Sequence, residues 1–276
     1  MSSNDVKLNG DHLDELHRFR TAGSVQISAE LFEKLYLTPQ TVVKGELRKT
    51  FGNPTPIGLV GFLIALTPLS CELMGWRGAT SSGAAGIATY FFFGGLLQFI
   101  AGLLEWVLGN TFPSVVFCCF GAFFFSFGGT LNPNFGAYAA YAPAGEPASA
   151  GLATRGFNAS FGFILLWMGV MTLIFLVCSL RVNICFFVIF LSLLLALIFL
   201  TVAYWLLADD IVGNAGLASK MLVTAGACAF VTCAAGWWIF FAIMLATLDF
   251  PVQIPVGDLS RFIKPGGLQK RLQEEV

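Results

Sequence analysis

From residue 51 to residue 250 the chain runs through long apolar stretches broken by brief polar ones. A helix needs about 20 apolar residues to cross the hydrocarbon core of a bilayer. Six stretches meet that length: 57–76, 86–108, 112–130, 155–179, 182–207 and 216–246. The breaks have turn chemistry: residues 77–83, the tight Gly109-Asn110-Thr111, the longer 132–154, Arg181, and residues 209–214. The runs are too long for barrel strands and do not alternate. The pattern predicts an all-α integral membrane protein with six transmembrane helices over 51–250, between a polar tail over 1–50 and another over 251–276. Within the first tail, Leu31, Phe32, Leu35 and Tyr36 fall at helical spacing, Glu30 and Lys34 pair four residues apart, and Pro39 supplies a stop. A short helix lying on the membrane surface is predicted there.

Composition supports the same class. Hydrophobic residues make up 57% of the chain and charged ones only 11%, against about 25% charged in soluble domains. Residues 1–50 hold 14 charges, residues 51–250 only 10, and residues 251–276 hold 7, so charge marks the tails and turns. A net charge of -1 without clustered Lys and Arg gives no footprint for nucleic acid. With six spans both tails share one side, which carries Lys44, Arg48, Lys49, Arg181, Arg261 and Lys264 against Arg77, Arg155 and Lys220 opposite. The positive-inside rule then places both tails in the cytosol, most simply of a plasma-membrane protein.

The composition also limits the chemistry. Both histidines, His12 and His17, lie in the first tail, and the seven cysteines sit in or beside apolar runs without a CxxC pair. No metal site or cofactor is expected, and the thiols read as small hydrophobes. There is no Ser/His pairing, no HExxH and no P-loop, which argues against an enzyme. The first apolar run comes too late for a cleaved signal peptide, so the first membrane helix is expected to direct insertion.

Polar residues inside apolar runs carry the functional reading. Asn53-Pro54-Thr55-Pro56 opens the first helix. Asn53 is either an N-cap or part of an anion site made with the free N–H groups of the helix start. On the second helix, Gly94, Ala101, Gly102 and Glu105 all fall within about 60° of Gln98 at ~100° per residue. That small face suits close helix approach, while Gln98 must be paired in the apolar medium, by tying helices together or lining a passage. Glu105 is the acid that most needs a reason, because a charge at the bilayer centre costs about 2.5–3.5 kcal/mol on insertion scales. It is expected to find a local partner, either the N–H groups opening the third helix at Thr111 or the Arg181 guanidinium. A structural role and a role in gating or proton coupling are both open. The phenylalanine-rich third helix could place a ring in a narrow path and gate it by excluding water.

The stretch Asn53-Pro54-Thr55-Pro56-Ile57-Gly58-Leu59 resembles the NPAPLGL signature of the acetate uptake transporter family. Phe93-Gly94-Gly95-Leu96-Leu97-Gln98, Ala101-Gly102-Leu103-Leu104-Glu105-Trp106 and Gly109-Asn110-Thr111-Phe112 are similar to that family's second helix and turn, and Pro255-Val256-Gly257-Asp258-Leu259-Ser260 to the tail of its fungal members. The resemblance covers residues 51–260 in order. It implies a hexamer of six-helix subunits, one pathway per subunit, and transport of acetate and related small monocarboxylates, proton-linked or channel-like. It also implies a constriction of a Phe, a Tyr and a Leu, which fall here on Phe62, Phe120 and Leu191, with Phe190 the alternative if the alignment slips by one. Thr55 for Ala and Phe120 for Tyr depart from the pattern. Polar contacts for the substrate are expected from Asn53 and Gln98. Ammonia or ammonium export and a non-transporting scaffold or receptor are the alternative functions.

Overall fold

The computed structural model describes residues 51–80, 83–252, 254–257 and 259. The expected surface helix over 28–37 and the tail cations Lys44, Arg48, Lys49, Arg261 and Lys264 lie outside the described residues. Among the described residues six helices are long and apolar enough to cross a membrane: α1 (Thr55–Leu73), α2 (Ala84–Val107), α3 (Thr111–Leu131), α4 (Arg155–Ser179), α5 (Ile184–Asp209) and α6 (Ala215–Thr247). Each matches a predicted run to within three residues at either end, as expected when helix length is set by the thickness of the apolar layer.

The helix ends use side-chain caps where the sequence provides them. Thr154 and Asn183 accept hydrogen bonds from the N–H groups of Phe157 and Phe186, at 3.3 Å and 2.8 Å, starting α4 and α5. At α1 the helix begins at Thr55, and Asn53 sits one residue outside the cap position. Its Oδ1 still accepts the Thr55 N–H at 3.0 Å, so the side chain meets one free donor of the helix start.

α2 departs from a regular α-helix. It passes through a π-helical stretch over Tyr90–Leu97 before resuming α geometry over Gln98–Val107. Two glycines in the wide turn meet aromatic rings of α3 directly. A Cβ on Gly94 would lie 2.6 Å from Phe124, and one on Gly95 2.6 Å from Phe125. Further along, a Cβ on Gly102 would meet the Cys118 sulfur and the Ser114 carbonyl, and one on Gly61 of α1 would lie 2.7 Å from the Phe93 carbonyl oxygen. The small face predicted for α2 is thus the surface on which three helices come together.

The remaining packing forms a ring. α6 packs between α5 and α1, α5 against α4, and α1 against α2, which in turn packs on α3. Ring contacts between α3 and α4, Phe112 with Phe175 at 6.1 Å and Phe127 with Phe161 at 6.4 Å, close the circle. Polar ties inside the bundle are few and paired. Ser192 and Thr232 share a hydrogen bond of 2.8 Å between α5 and α6, and the Trp237 indole donates to the Thr67 hydroxyl at 3.1 Å between α6 and α1. Beyond α6 the chain folds back over the α4–α5 turn, where the Gly257 carbonyl accepts the Ile184 N–H at 2.9 Å and Val256 is buried.

Overpacking the small face should separate the helices. Gly102→Val is expected to lower the thermal unfolding midpoint in detergent by several degrees, reflecting a penalty of about 1–3 kcal/mol. An unchanged midpoint would show that α2 and α3 do not depend on this close approach.

Candidate functional site

Three cavities follow one another along the inside of the ring. The first, about 80 Å³, lies toward the end of the bundle that carries the α1–α2 and α3–α4 connections, here the loop end. It is lined from five helices by residues including Leu66, Leu69, Phe127, Leu165, Leu193 and Tyr204. The second, about 30 Å³, shares Leu193 with the first and is walled by Leu59, Phe62, Phe120, Ile189 and Phe190, with Gln98 reaching in from α2. The third, about 20 Å³, shares Val116, Phe117 and Phe186 with the second and ends at Thr55, Phe112 and Val182. This is the tail end, where the chain enters α1 and leaves α6. Shared walls make the three one interrupted path.

An aromatic collar walls the second cavity. The Phe62 and Phe120 rings are 6.1 Å apart, Phe120 and Phe175 6.1 Å, and Phe175 and Phe190 5.8 Å. These edge and tilted contacts are the favourable geometries for phenyl rings. Phe62, Phe120 and Phe190 are all buried. Leu191 is not part of the collar: it is 38% exposed against 2% for Phe190, and it points away from the path. The third wall position is therefore taken by Phe190, with Leu193 one turn further on. One residue along a helix turns the side chain by ~100°, so the one-residue alternative in the sequence alignment is also a choice of face.

Gln98 is 1% exposed, and its amide nitrogen donates to the Gly94 carbonyl at 2.7 Å, within the π-helical turn of its own helix. A π turn shifts the backbone bonding register by one residue, and here a side chain takes up a carbonyl that turn contains. Gln98 thus lines the passage and is paired at the same time.

Glu105 is fully buried at the meeting point of three helix ends. One carboxylate oxygen accepts the Thr55 hydroxyl at 2.5 Å and the other accepts the Asn110 amide at 2.6 Å. Neither Thr111 nor Arg181, the partners expected from sequence, supplies these bonds. Glu105 and Asn53 are not among the residues lining the three cavities, whereas Thr55 lines the third and hands its hydroxyl back to Glu105. Sequence reasoning overlooked Thr55 as a site residue. The signal was the departure itself, since an alanine at that position has no hydroxyl to donate. Among the described residues no group of three or more His, Cys, Asp or Glu side chains could hold a metal ion.

Comparison with known proteins places this architecture. The sequence profile described as the GPR1/FUN34/yaaH family matches residues 36–261. Protein alcS of Aspergillus fumigatus is 48% identical over 241 residues, 87% of this chain and 87% of its own. The acetate transporter protein patA of Aspergillus clavatus is 33% identical over 210 residues, 76% of this chain and 79% of its own. Among solved structures, the bacterial acetate channel SatP superposes with a TM-score of 0.54 at 27% identity, covering 75% of this chain and 99% of that one.

The Thr55–Glu105 bond is testable by a double-mutant cycle. Thr55→Ala and Glu105→Gln should each destabilise the protein, and together by less than the sum, with a coupling of about 1.5–3 kcal/mol for a bond to a charged group. Chemical unfolding in detergent measures it, and additive effects would show that the bond contributes nothing.

Proposed function

The chain belongs to the GPR1/FUN34/yaaH family, and from that premise we propose that it carries acetate and related small monocarboxylates across the membrane through the path inside each subunit. The observation that supports this most is the run of three cavities with shared walls, narrowed by the collar of Phe62, Phe120 and Phe190. Its walls are almost entirely apolar, and the polar residues Gln98 and Thr55 each have a hydrogen bond inside the protein. Such a lining suits a solute with a methyl group at one end and a single ionisable group at the other. It does not suit a bare ion, because a carboxylate stripped of water at a dry collar meets a large desolvation cost. Passage therefore takes place with a proton, as acetic acid, or through transient wetting of the collar. Phe120, where the family pattern has Tyr, removes one hydroxyl from this narrow point and makes the collar drier.

The subunit is further proposed to assemble as a hexamer in the plasma membrane with both tails in the cytosol. The hexamer follows the family resemblance, and the orientation follows the distribution of Lys and Arg. Every helix of the path comes from one chain, which is consistent with one path per subunit.

Uptake of labelled acetate into proteoliposomes containing the full chain, against protein-free liposomes, tests the function. Flux should fall when propionate competes and rise with an inward proton gradient. Absent acetate flux with folded protein overturns the reading, and ammonium flux in its place supports export of ammonia. Phe120→Ala and Phe190→Ala should each raise acetate flux about threefold or more by opening and wetting the collar, while Leu191→Ala should leave it unchanged. A response at Leu191 and none at Phe190 would move the constriction to the other face of α5.

A further inference from the structure

Three polar side chains line the path, one in each cavity: Tyr204 in the first, Gln98 in the second and Thr55 in the third. Thr55 gives its hydroxyl to Glu105, and Gln98 its amide nitrogen to Gly94. Tyr204 differs. Among the described residues its hydroxyl has no hydrogen-bond partner in the protein, and it is not one of the enclosed unpaired atoms, which belong to Tyr90 and Arg181. A polar atom that is neither bonded nor enclosed is open to the space beside it.

That space is the first cavity, because the ring is turned inward and held there. Tyr204 lies in α5, five residues before the helix ends at Asp209. It meets the Phe161 ring of α4 edge-on at 4.9 Å, and Phe161 is stacked on Phe157 at 5.8 Å and lies 6.4 Å from Phe127 of α3. Phe161 is buried and lines the same cavity as Phe127 and Tyr204. Trp205, the next residue, is exposed on the outside of the bundle. The step of ~100° between neighbours on a helix turns Tyr204 away from that outer surface.

The cavity around this hydroxyl suits a small neutral acid. Its volume of about 80 Å³ has room for about five waters, more than the number of heavy atoms in acetic acid. Its other lining residues are all Leu, Phe or Ala, and none is charged. An anion finds no counter-charge there and meets the cost of losing its water. A neutral carboxylic acid needs one donor for its carbonyl oxygen and one acceptor for its own O–H, and a tyrosine hydroxyl supplies both. The leucines and rings meet the methyl group.

We infer that Tyr204 is the polar contact of a substrate site in the loop-end cavity, where its hydroxyl hydrogen-bonds the undissociated carboxyl group of acetic acid or a similarly short acid. This rests on the transport reading above and adds where the substrate is held and in which form. The first cavity shares Leu193 with the second, which the collar walls, so the site adjoins the narrow part of the path. An acid that binds here is already neutral when it meets the dry rings. An ammonium ion finds no carboxylate in this cavity, which sets the site against cation export.

Equilibrium exchange of labelled acetate in proteoliposomes, with equal acetate on both sides, compares wild type with Tyr204→Phe, which keeps the ring on Phe161 and removes only the hydroxyl. The variant is expected to raise the half-saturation concentration about three- to tenfold, the effect of losing one hydrogen bond, with the maximal rate and the thermal midpoint kept. Half-saturation equal to wild type overturns the site. Saturation-transfer NMR in detergent reads binding without transport. In wild-type protein deuterated everywhere except its tyrosines, the acetate methyl should receive saturation at mildly acidic pH, and acetamide, an uncharged isostere, should compete for it. In Tyr204→Phe labelled the same way the transfer should be lost. No transfer in wild type, no competition by acetamide, or undiminished transfer in Tyr204→Phe overturns the assignment. If wild type exchanges no acetate but shows the tyrosine-borne signal, and Tyr204→Phe loses it, the transport reading falls and the site stands; exchange without that signal keeps transport and removes the site.

Discussion

The Glu105 carboxylate sets the arrangement on which the rest of the bundle depends. In an apolar solvent a buried carboxyl group needs partners inside the protein, and two of them come from other places in the chain: the Thr55 hydroxyl at the start of α1 and the Asn110 amide before α3. Satisfying one side chain therefore ties three helix ends together. Small residues on the same face of α2, Gly94 and Gly102, and Gly61 of α1 let those helices approach closely. Polar pairing and close packing are two requirements met by a single surface.

That junction in turn shapes the path. Thr55 is part of the wall of the third cavity, so the direction of its hydroxyl, away from the cavity and toward Glu105, leaves the passage less polar than the sequence suggests. Gln98 behaves alike, lining the second cavity while its amide nitrogen is taken by Gly94. The π-helical stretch beside it allows Phe124 and Phe125 to press against glycine backbone, and Phe124 packs edge-on against Phe62 at 6.3 Å. The collar is therefore held from behind by α2, although no α2 residue lines the cavity at the loop end.

The ends of the path differ in character. The cavity toward the loop end is lined mainly by leucines and aromatic rings. The tail end narrows to a small cavity lined by Thr55, whose hydroxyl is bonded to Glu105. Under the proposed function, a solute crossing from one to the other passes from apolar contacts, through a dry aromatic collar, to this narrow cavity.

Much of this was readable from sequence because it is governed by short-range periodicity and by the thickness of a membrane. Six apolar runs of spanning length determine six helices, and the 3.6-residue repeat puts Gly94, Gln98, Ala101, Gly102 and Glu105 on one face wherever α2 comes to rest. What lay beyond the sequence was the rotation of each helix and the meeting of distant segments. α5 is apolar on all sides, so no periodic signal distinguishes Phe190 from Leu191, and only packing against α3, α4 and α6 turns Phe190 into the path. Two partners of Glu105 sit 50 residues before it and five after it, a separation that no local pattern signals. Local pattern determines which residues share a face; tertiary packing decides what that face meets.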